Sequence, residues 1–335
     1  MKKILVLGGT GALVRYAVKD LVDMGYFVDV VALDTPISNN KNLKYTVANA
    51  MDDKVVENLL KNGYDAVVDF MTYHVPQFKI RMNMFLENTN QYIFLSSCRV
   101  FANGDVVTED SPKLLNVSDD LDYLSRKETE YSLYKAIEED MLKNSGYKNY
   151  TIVRPATTYS TGRFQLVTLE ANSFVLMAQN NQKVLLPYEA MDCEATMSWG
   201  GDVGRMIARI VLNENAYGND YNVATAEHHT WREIASYYEE LIGLKYELVD
   251  KETYLKCIAT ERAYPFAKYQ LEYARMFNRV TDNSKILTAT GMKQKDLMPL
   301  YEGLKTELSN TDIKNIAPNS FVIDNMNNYL KENLL

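Results

Sequence analysis

The stretch that decides the fold is Lys3-Ile4-Leu5-Val6-Leu7-Gly8-Gly9-Thr10-Gly11-Ala12-Leu13-Val14. A strand-length apolar run passes into a glycine cluster and then into a segment, roughly Ala12–Met24, in which Leu13, Ala17, Leu21 and Met24 share one helical stripe; Gly25 stops it. Glycines at that junction permit a tight turn and close backbone approach, so that a pyrophosphate can rest against the free N–H groups of the helix. Strand, glycine loop and helix in direct succession point to a βαβ opening and a dinucleotide site, where a bare glycine cluster would be only a turn. The G-x-x-G-x-x-G pattern would place a third glycine at 14, where Val14 stands. Its loss is expected to move the helix slightly outward without abolishing binding.

Beyond this opening the first half alternates short β-branched runs with helical stretches, the pattern of an α/β protein whose parallel sheet is covered on both faces. Candidate strands are Ile4–Leu7, Val28–Leu33, Lys44–Val47, Ala66–Phe70, Tyr92–Ser96 and Tyr150–Val153. After Arg154-Pro155 the alternation lapses, and 157–197 is assigned in part to a second lobe. Regularity returns with a helix near Asp202–Leu212, a strand at Tyr221–Ala224 and a helix from Thr230, where Thr230 and Glu233 fit a capping box. The expected division is 1–160 with 198–226 as the dinucleotide-binding domain, 161–197 with 227–309 as a smaller substrate-binding lobe, and 310–335, rich in Asn and Lys, as a C-terminal appendage. A chain of 335 residues suits two cores.

Composition narrows the function. With 47% hydrophobic and 24% charged residues the chain has the usage of a globular protein, and its net charge of −8 argues against nucleic acid as a partner. Cys98, Cys193 and Cys257 are scattered, and His228-His229 has no third ligand nearby, so neither a disulfide framework nor a metal is expected. Four apolar residues before the first glycine read as a buried strand rather than a secretory leader, and no run has membrane-spanning length. A cytoplasmic protein without membrane contact is the expectation.

The residues that carry chemistry are Tyr131-Ser132-Leu133-Tyr134-Lys135 and the upstream Ser96-Ser97. Tyr131 and Lys135, at i and i+4, share a helix face, and a cation beside a phenol favours phenolate, as a general acid/base requires. In a chain with 24 tyrosines the spacing alone is weak. Its position after the fifth strand gives it weight.

At this point the chain resembles the extended short-chain dehydrogenase/reductase family, also called the NAD-dependent epimerase/dehydratase family, from residue 1 to about 308. The carriers are Gly8–Gly11, Asp65-Ala66-Val67-Val68-Asp69-Phe70, Phe94-Leu95-Ser96-Ser97-Cys98-Arg99-Val100-Phe101, Tyr131 with Lys135, Arg154-Pro155, Asp202-Val203 and Asn222-Val223. The resemblance implies a Rossmann-type doubly wound parallel sheet with a smaller C-terminal lobe. It implies Ser97 as the hydroxyl that bonds the substrate oxygen, Tyr131 as acid/base, and Lys135 as the residue that holds the nicotinamide ribose. Around NAD it implies Gly8, Thr10, Gly11, Ala12, Leu13, Asp34, Asn49, Phe70, Ser96, Tyr131, Lys135 and Pro155. Asp34 lies two positions beyond the usual place of the ribose-binding acid, and no Arg or Lys between Val28 and Asn40 is at hand for a 2′-phosphate, so NAD is expected over NADP. Asp202-Val203 is expected to support the lobe junction. Cys98-Arg99 stands where 4,6-dehydratases carry an Asp-Glu pair, which disfavours elimination.

The leading reading is a sugar-nucleotide epimerase. A net reductase or dehydrogenase of a nucleotide sugar or related carbonyl would use the same three residues. A non-catalytic nucleotide- or RNA-binding protein is a third reading, because Asp69-Phe70-Met71-Thr72-Tyr73 and Asp282-Asn283-Ser284-Lys285 are similar to a branch that includes chloroplast stem-loop RNA-binding proteins. Arg163, Arg232 and Arg275 are candidates to clamp a diphosphate. Family members often pair through a four-helix bundle that includes the tyrosine helix, so a homodimer is among the expectations.

Overall fold

In the computed structural model, which describes residues 1–9, 11–34 and 38–333, seven parallel strands form the central sheet. They are β1 (Lys3–Leu7), β2 (Phe27–Ala32), β3 (Leu43–Val47), β4 (Ala66–Asp69), β5 (Gln91–Leu95), β6 (Tyr150–Pro155) and β7 (Asn219–Val223). Their order across the sheet is β7-β6-β5-β4-β1-β2-β3. After β3 the chain crosses back to the far side of β1, so the ends of β1 and β4 flank a topological switch point. All seven strands fall where the sequence pattern puts them, with ends shifted by one or two residues.

The first helix, α1 (Val14–Asp23), starts two residues later than its apolar stripe suggests. The amides of Val14 and Arg15 both turn back to the Gly11 carbonyl, which keeps 11–13 in the turn. Leu13, Ala17 and Leu21 are buried as expected, whereas Met24, the C-cap residue, is 45% exposed. Val14 is buried in the core between α1 and the sheet, with Val18, Leu21, Val203 and Ile207. Close approach is supplied from the other side, by α5 (Gly200–Ile210). A Cβ on Gly204 would stand 2.7 Å from the Ala17 amide nitrogen, and one on Gly200 would stand 3.3 Å from the Ala12 carbonyl oxygen.

The opposite face of the sheet is covered by α2 (Asp53–Leu60), α3 (Val75–Asn88) and α4 (Tyr131–Lys143), around Phe78, Phe85, Tyr92 and Phe94. Helix α4 is pinned by charge as well as by packing. Arg154 on β6 donates to both carboxylate oxygens of Glu139 at 2.7 and 2.8 Å and reaches Asp220 on β7 at 2.6 Å. Burial opposes ionisation at Glu139 and Asp220, yet Arg154 and the nearby lysines hold both carboxyls below their usual range.

A second and larger core gathers Phe164–Met197, Trp231, Tyr238, Tyr254 and Leu304, with the strands Lys183–Pro187 and Lys245–Val249 paired in parallel. Thr230 caps its helix with Glu233 in the expected capping box. Asp202 accepts the Met298 amide at 2.7 Å, tying α5 to the chain entering the helix Leu300–Ser309. Two segments depart from the expected division. Residues 281–297 run back over the first lobe, where Ile286, Met292 and Leu297 join the α1–α5 core and Asn283 donates to the Ala224 carbonyl. The stretch read as an appendage carries the helix Ser320–Asn333, whose Val322 and Met326 are buried in the second core.

Gly204→Ala should lower stability by about 1–3 kcal/mol, the usual cost of overpacking, because its new methyl meets backbone rather than a movable side chain. Urea unfolding with an unchanged slope and a lower midpoint is the expected result. An unshifted midpoint would mean that α1 and α5 pack less closely than described.

Candidate active site

The glycine loop threads between two strand ends, and this is why its first two glycines cannot carry side chains. Gly8 has φ +113° and a Cβ there would lie 2.9 Å from the Phe70 Cβ, just past β4; Gly9 has φ +65° and would meet the Ala32 Cβ, at the end of β2, at 3.2 Å. Helix α1 then begins with no side-chain cap and no acidic residue in its first turn. That uncapped N-terminus, with the positive end of the helix dipole at the loop, fits the pyrophosphate of a dinucleotide. Thr10 lies outside the described residues. Asp34 is exposed two residues beyond β2, and its charge, after burial, raises the Tyr45 phenol. Asn49 is exposed and its side chain accepts the Met51 amide at 2.9 Å, closing the turn before Asp52 caps α2.

From this loop a cleft of about 370 Å³ runs between the lobes. Of the residues expected from sequence, Leu13, Phe70, Ser96, Ser97, Tyr131 and Pro155 line it; Gly8, Gly11, Ala12, Asp34, Asn49 and Lys135 do not. Ser96 gives its hydroxyl proton to Glu139, so its side chain serves the α4 anchor. Ser97 accepts the Arg99 amide at 3.2 Å, capping the single turn Cys98–Val100 and leaving its own proton to donate into the cleft. Tyr131, half-buried, is the first residue of α4 and lies under the Arg99 guanidinium, 5.1 Å from ring centroid to charge.

Lys135 departs from the expected pairing. It is 1% exposed, and its ammonium sits 3.0 Å from Glu138 and 4.4 Å from the centre of the Phe94 ring. A cation buried one turn below the cleft needs a counter-charge, and the carboxylate three residues on supplies it.

The far wall is basic. Arg99, Arg163, Arg275 and Arg279 line the cleft and, among the described residues, no Asp or Glu does; Arg99 pairs with the buried Glu130 at 3.3 Å. Arg275 donates to the Val167 carbonyl, Thr157 and Gln165, and Arg279 to the Ala102 and Tyr273 carbonyls. Among the described residues neither has a carboxylate partner, and the Arg279 Nε has no hydrogen-bond partner although buried. Burial, followed by repulsion from Arg99, pushes Arg275 down to about 9 and Arg279 down to about 10, which leaves both charged at neutral pH. Arg279 was not singled out in the sequence. Its spacing of four from Arg275, beside the apolar Leu271, Ala274 and Met276, was the available signal of a charge carried on a buried face. Arg232, by contrast, lies outside and pairs with exposed Asp192 at 2.9 Å.

His229 bonds Glu227 and Tyr237, and no group of three or more His, Cys, Asp or Glu among the described residues is placed to hold a metal ion. Nor is any described helix long and apolar enough to cross a membrane.

A doubly wound sheet with a glycine loop at its switch point and a tyrosine-bearing cleft above it defines a dinucleotide-using oxidoreductase fold. The model of the NAD dependent epimerase/dehydratase family matches residues 4–224, and the chain belongs to that family. It is an NAD-dependent enzyme of the extended short-chain dehydrogenase/reductase type. Its fold is similar to dTDP-glucose 4,6-dehydratase from Bacillus anthracis, solved with NAD (TM-score 0.66, 15% identity, covering 92% of this chain and 96% of that one). It is also similar to UDP-glucuronic acid 4-epimerase from Bacillus cereus (0.67, 14%, 93% and 99%) and to UDP-glucose 4-epimerase from Thermotoga maritima (0.62, 17%, 92% and 97%). A comparison with curated proteins found no match.

Burial in the cleft wall pushes the Cys98 thiol up to about 12, so it stays protonated until the pH approaches that value. In the native protein at pH 8.5 its alkylation by iodoacetamide should run on the order of a thousandfold slower than that of an ordinary thiol. Labelling at an ordinary rate would show that position 98 offers a usable base after all.

Proposed function

We propose that the protein is an NAD-dependent epimerase acting on a sugar nucleotide. The observation that carries this reading is a single cleft that joins Ser97 and Tyr131, beside Phe70 and Pro155, to four arginines, of which the buried Arg275 and Arg279 have no carboxylate partner among the described residues. Two buried guanidiniums that lack a carboxylate are costly in the free protein, and a diphosphate brings the missing negative charge with oxygens suited to their donor geometry. The structural neighbours named for UDP-glucose and UDP-glucuronic acid epimerases lend the same direction.

NAD, when bound, supplies a hydride acceptor that also returns the hydride, so that a sugar carbon can be oxidised and reduced without net consumption of cofactor. Gly8, Gly9 and the start of α1 would hold its pyrophosphate, with Phe70 and Pro155 near the nicotinamide end. Tyr131 would take the proton of the substrate hydroxyl as the carbon is oxidised and give it back on reduction. Ser97 would donate to the same oxygen and fix its place. Elimination has no support in the cleft wall: where it needs an acid and a base beside Ser97, this chain offers a thiol held protonated and the cationic Arg99. RNA is a poor occupant, because the arginines face into a cleft of about 370 Å³ on a chain of net charge −8.

Tyr131→Phe should leave the fold and NAD binding nearly intact while lowering turnover by roughly two to four orders of magnitude. The assay offers UDP- and dTDP-sugars to the NAD-loaded protein and follows isomer change by NMR, with the reduced-nicotinamide absorbance recorded in parallel. Near-normal turnover by the variant would remove Tyr131 from catalysis, and stoichiometric accumulation of reduced cofactor would turn the reading from epimerase to net dehydrogenase.

A further inference from the structure

Glu138 has no part in the chemistry above, yet it is the residue that Lys135 touches. Its carboxylate is fully buried, and apart from the 3.0 Å ion pair with Lys135 neither oxygen has a well-formed hydrogen bond; the Lys135 ammonium likewise lacks one. Such bare pairing is unusual for a buried carboxylate, which normally gathers several donors. Glu139, its neighbour in sequence, shows the contrast: it accepts from Arg154 twice and from Ser96.

Direction matters as much as pairing. Helix α4 begins with Tyr131 at the cleft, and Lys135 and Glu138 follow about one and two turns later along its axis. The ammonium lies against Glu138 and the Phe94 ring, and Lys135 does not line the cleft that Tyr131, one turn earlier, does line.

We propose that Glu138 is a positioning residue that competes with the cofactor for Lys135, holding the ammonium below the cleft when ionised and releasing it to the nicotinamide ribose when protonated. The inference rests on the cofactor role of Lys135. The groups facing Glu138 favour such a switch. Asp69 on β4 and Glu139 on α4 repel its charge, Tyr92 on β5 and Tyr134 on α4 are neutral phenols raised partly by that charge, and Lys135 stabilises it. Asp69 is occupied by the Met71 amide, Tyr73 and Tyr92, with Arg81 behind Tyr73, and His74 packs on Tyr134. Burial, only partly offset by Lys135, pushes the Glu138 carboxyl up to about 7. The sign follows: below that pH Glu138 is protonated and Lys135 is free for NAD; above it the ion pair forms and must be broken for the lysine to reach the ribose.

Calorimetric titration of NAD into the full-length protein between pH 6 and 8.5 tests the idea without any substrate. Wild type should bind NAD more weakly as pH rises, by roughly five- to tenfold, in the usual range of coupled equilibria. Glu138→Gln should bind at least as tightly as wild type at low pH and lose this slope, whereas Glu138→Asp, which keeps the carboxyl, should retain it. Near-UV circular dichroism reports whether each variant is folded; if Glu138→Gln is not, the Glu138→Asp slope and the wild-type slope still decide the matter, since a flat wild type overturns the switch. A Glu138→Gln protein that keeps the wild-type slope also overturns it. Lys135→Met separates the two layers: binding unaffected by that change removes the cofactor role of Lys135 and the switch with it, while weakened binding together with an unchanged slope in Glu138→Gln removes the switch alone.

Discussion

Everything at the cleft depends on the buried contact between Glu139 and Arg154. It joins α4 to β6 by two hydrogen bonds and, through Asp220, to β7. Removing one partner of such a pair typically costs 3–5 kcal/mol, because the other is left charged and unsatisfied. The same contact fixes the rotation of α4. With Glu139 turned into the sheet, the residues four and eight positions earlier, Lys135 and Tyr131, come up along the same face. Ser96, held by Glu139 as well, brings the end of β5 and therefore Ser97 to the tyrosine. One ion pair thus aligns three strands, a helix and the two hydroxyl groups of the proposed chemistry.

The charge distribution sets a local field against a global one. The chain carries a net charge of −8, yet the cleft wall presents four guanidiniums and, among the described residues, no carboxylate. An acidic surface discourages long polyanions, while a basic cleft within it attracts a small one and orients it. The buried arginines donate to carbonyls, a side-chain amide and a hydroxyl, none of which neutralises them. That division, geometry from neutral partners and charge compensation left to a ligand, is what distinguishes Arg275 and Arg279 from Arg154, whose charge is fully answered within the protein.

Much of this was legible in the sequence, and the exceptions have physical causes. Strands betray themselves by local β-branched runs, and the glycine loop by the strand before it and the helix after it, so the sheet and the dinucleotide crevice could be read directly. The stripe on α1 was read one residue too far, because Met24 follows the helical period but falls at the C-cap, where the chain turns out of the helix. The return of residues 281–297 to the first lobe rests on contacts such as that of Asn283 with Ala224, distant in sequence and without periodicity. Val322 and Met326 were hidden in a polar, Asn-rich stretch in which two apolar residues suffice to dock a helix. At the site, Ser97 and Tyr131 came together in the cleft as their motifs suggested. The pairing of Lys135 with Glu138 did not follow from the i, i+4 rule, since a burial-driven counter-charge at i+3 outweighs the preference of the motif.

The central claim is that the glycine loop, the end of β4, Ser96-Ser97 and the start of α4 form one cofactor site. Hydrogen exchange of the backbone amides, measured with and without NAD, tests it most directly. The account predicts slowed exchange in residues 8–15, 70–72, 96–99 and 131–135 together, with the second core little changed. Exchange that NAD leaves unaltered in these segments, or protection confined to the second lobe, would contradict it.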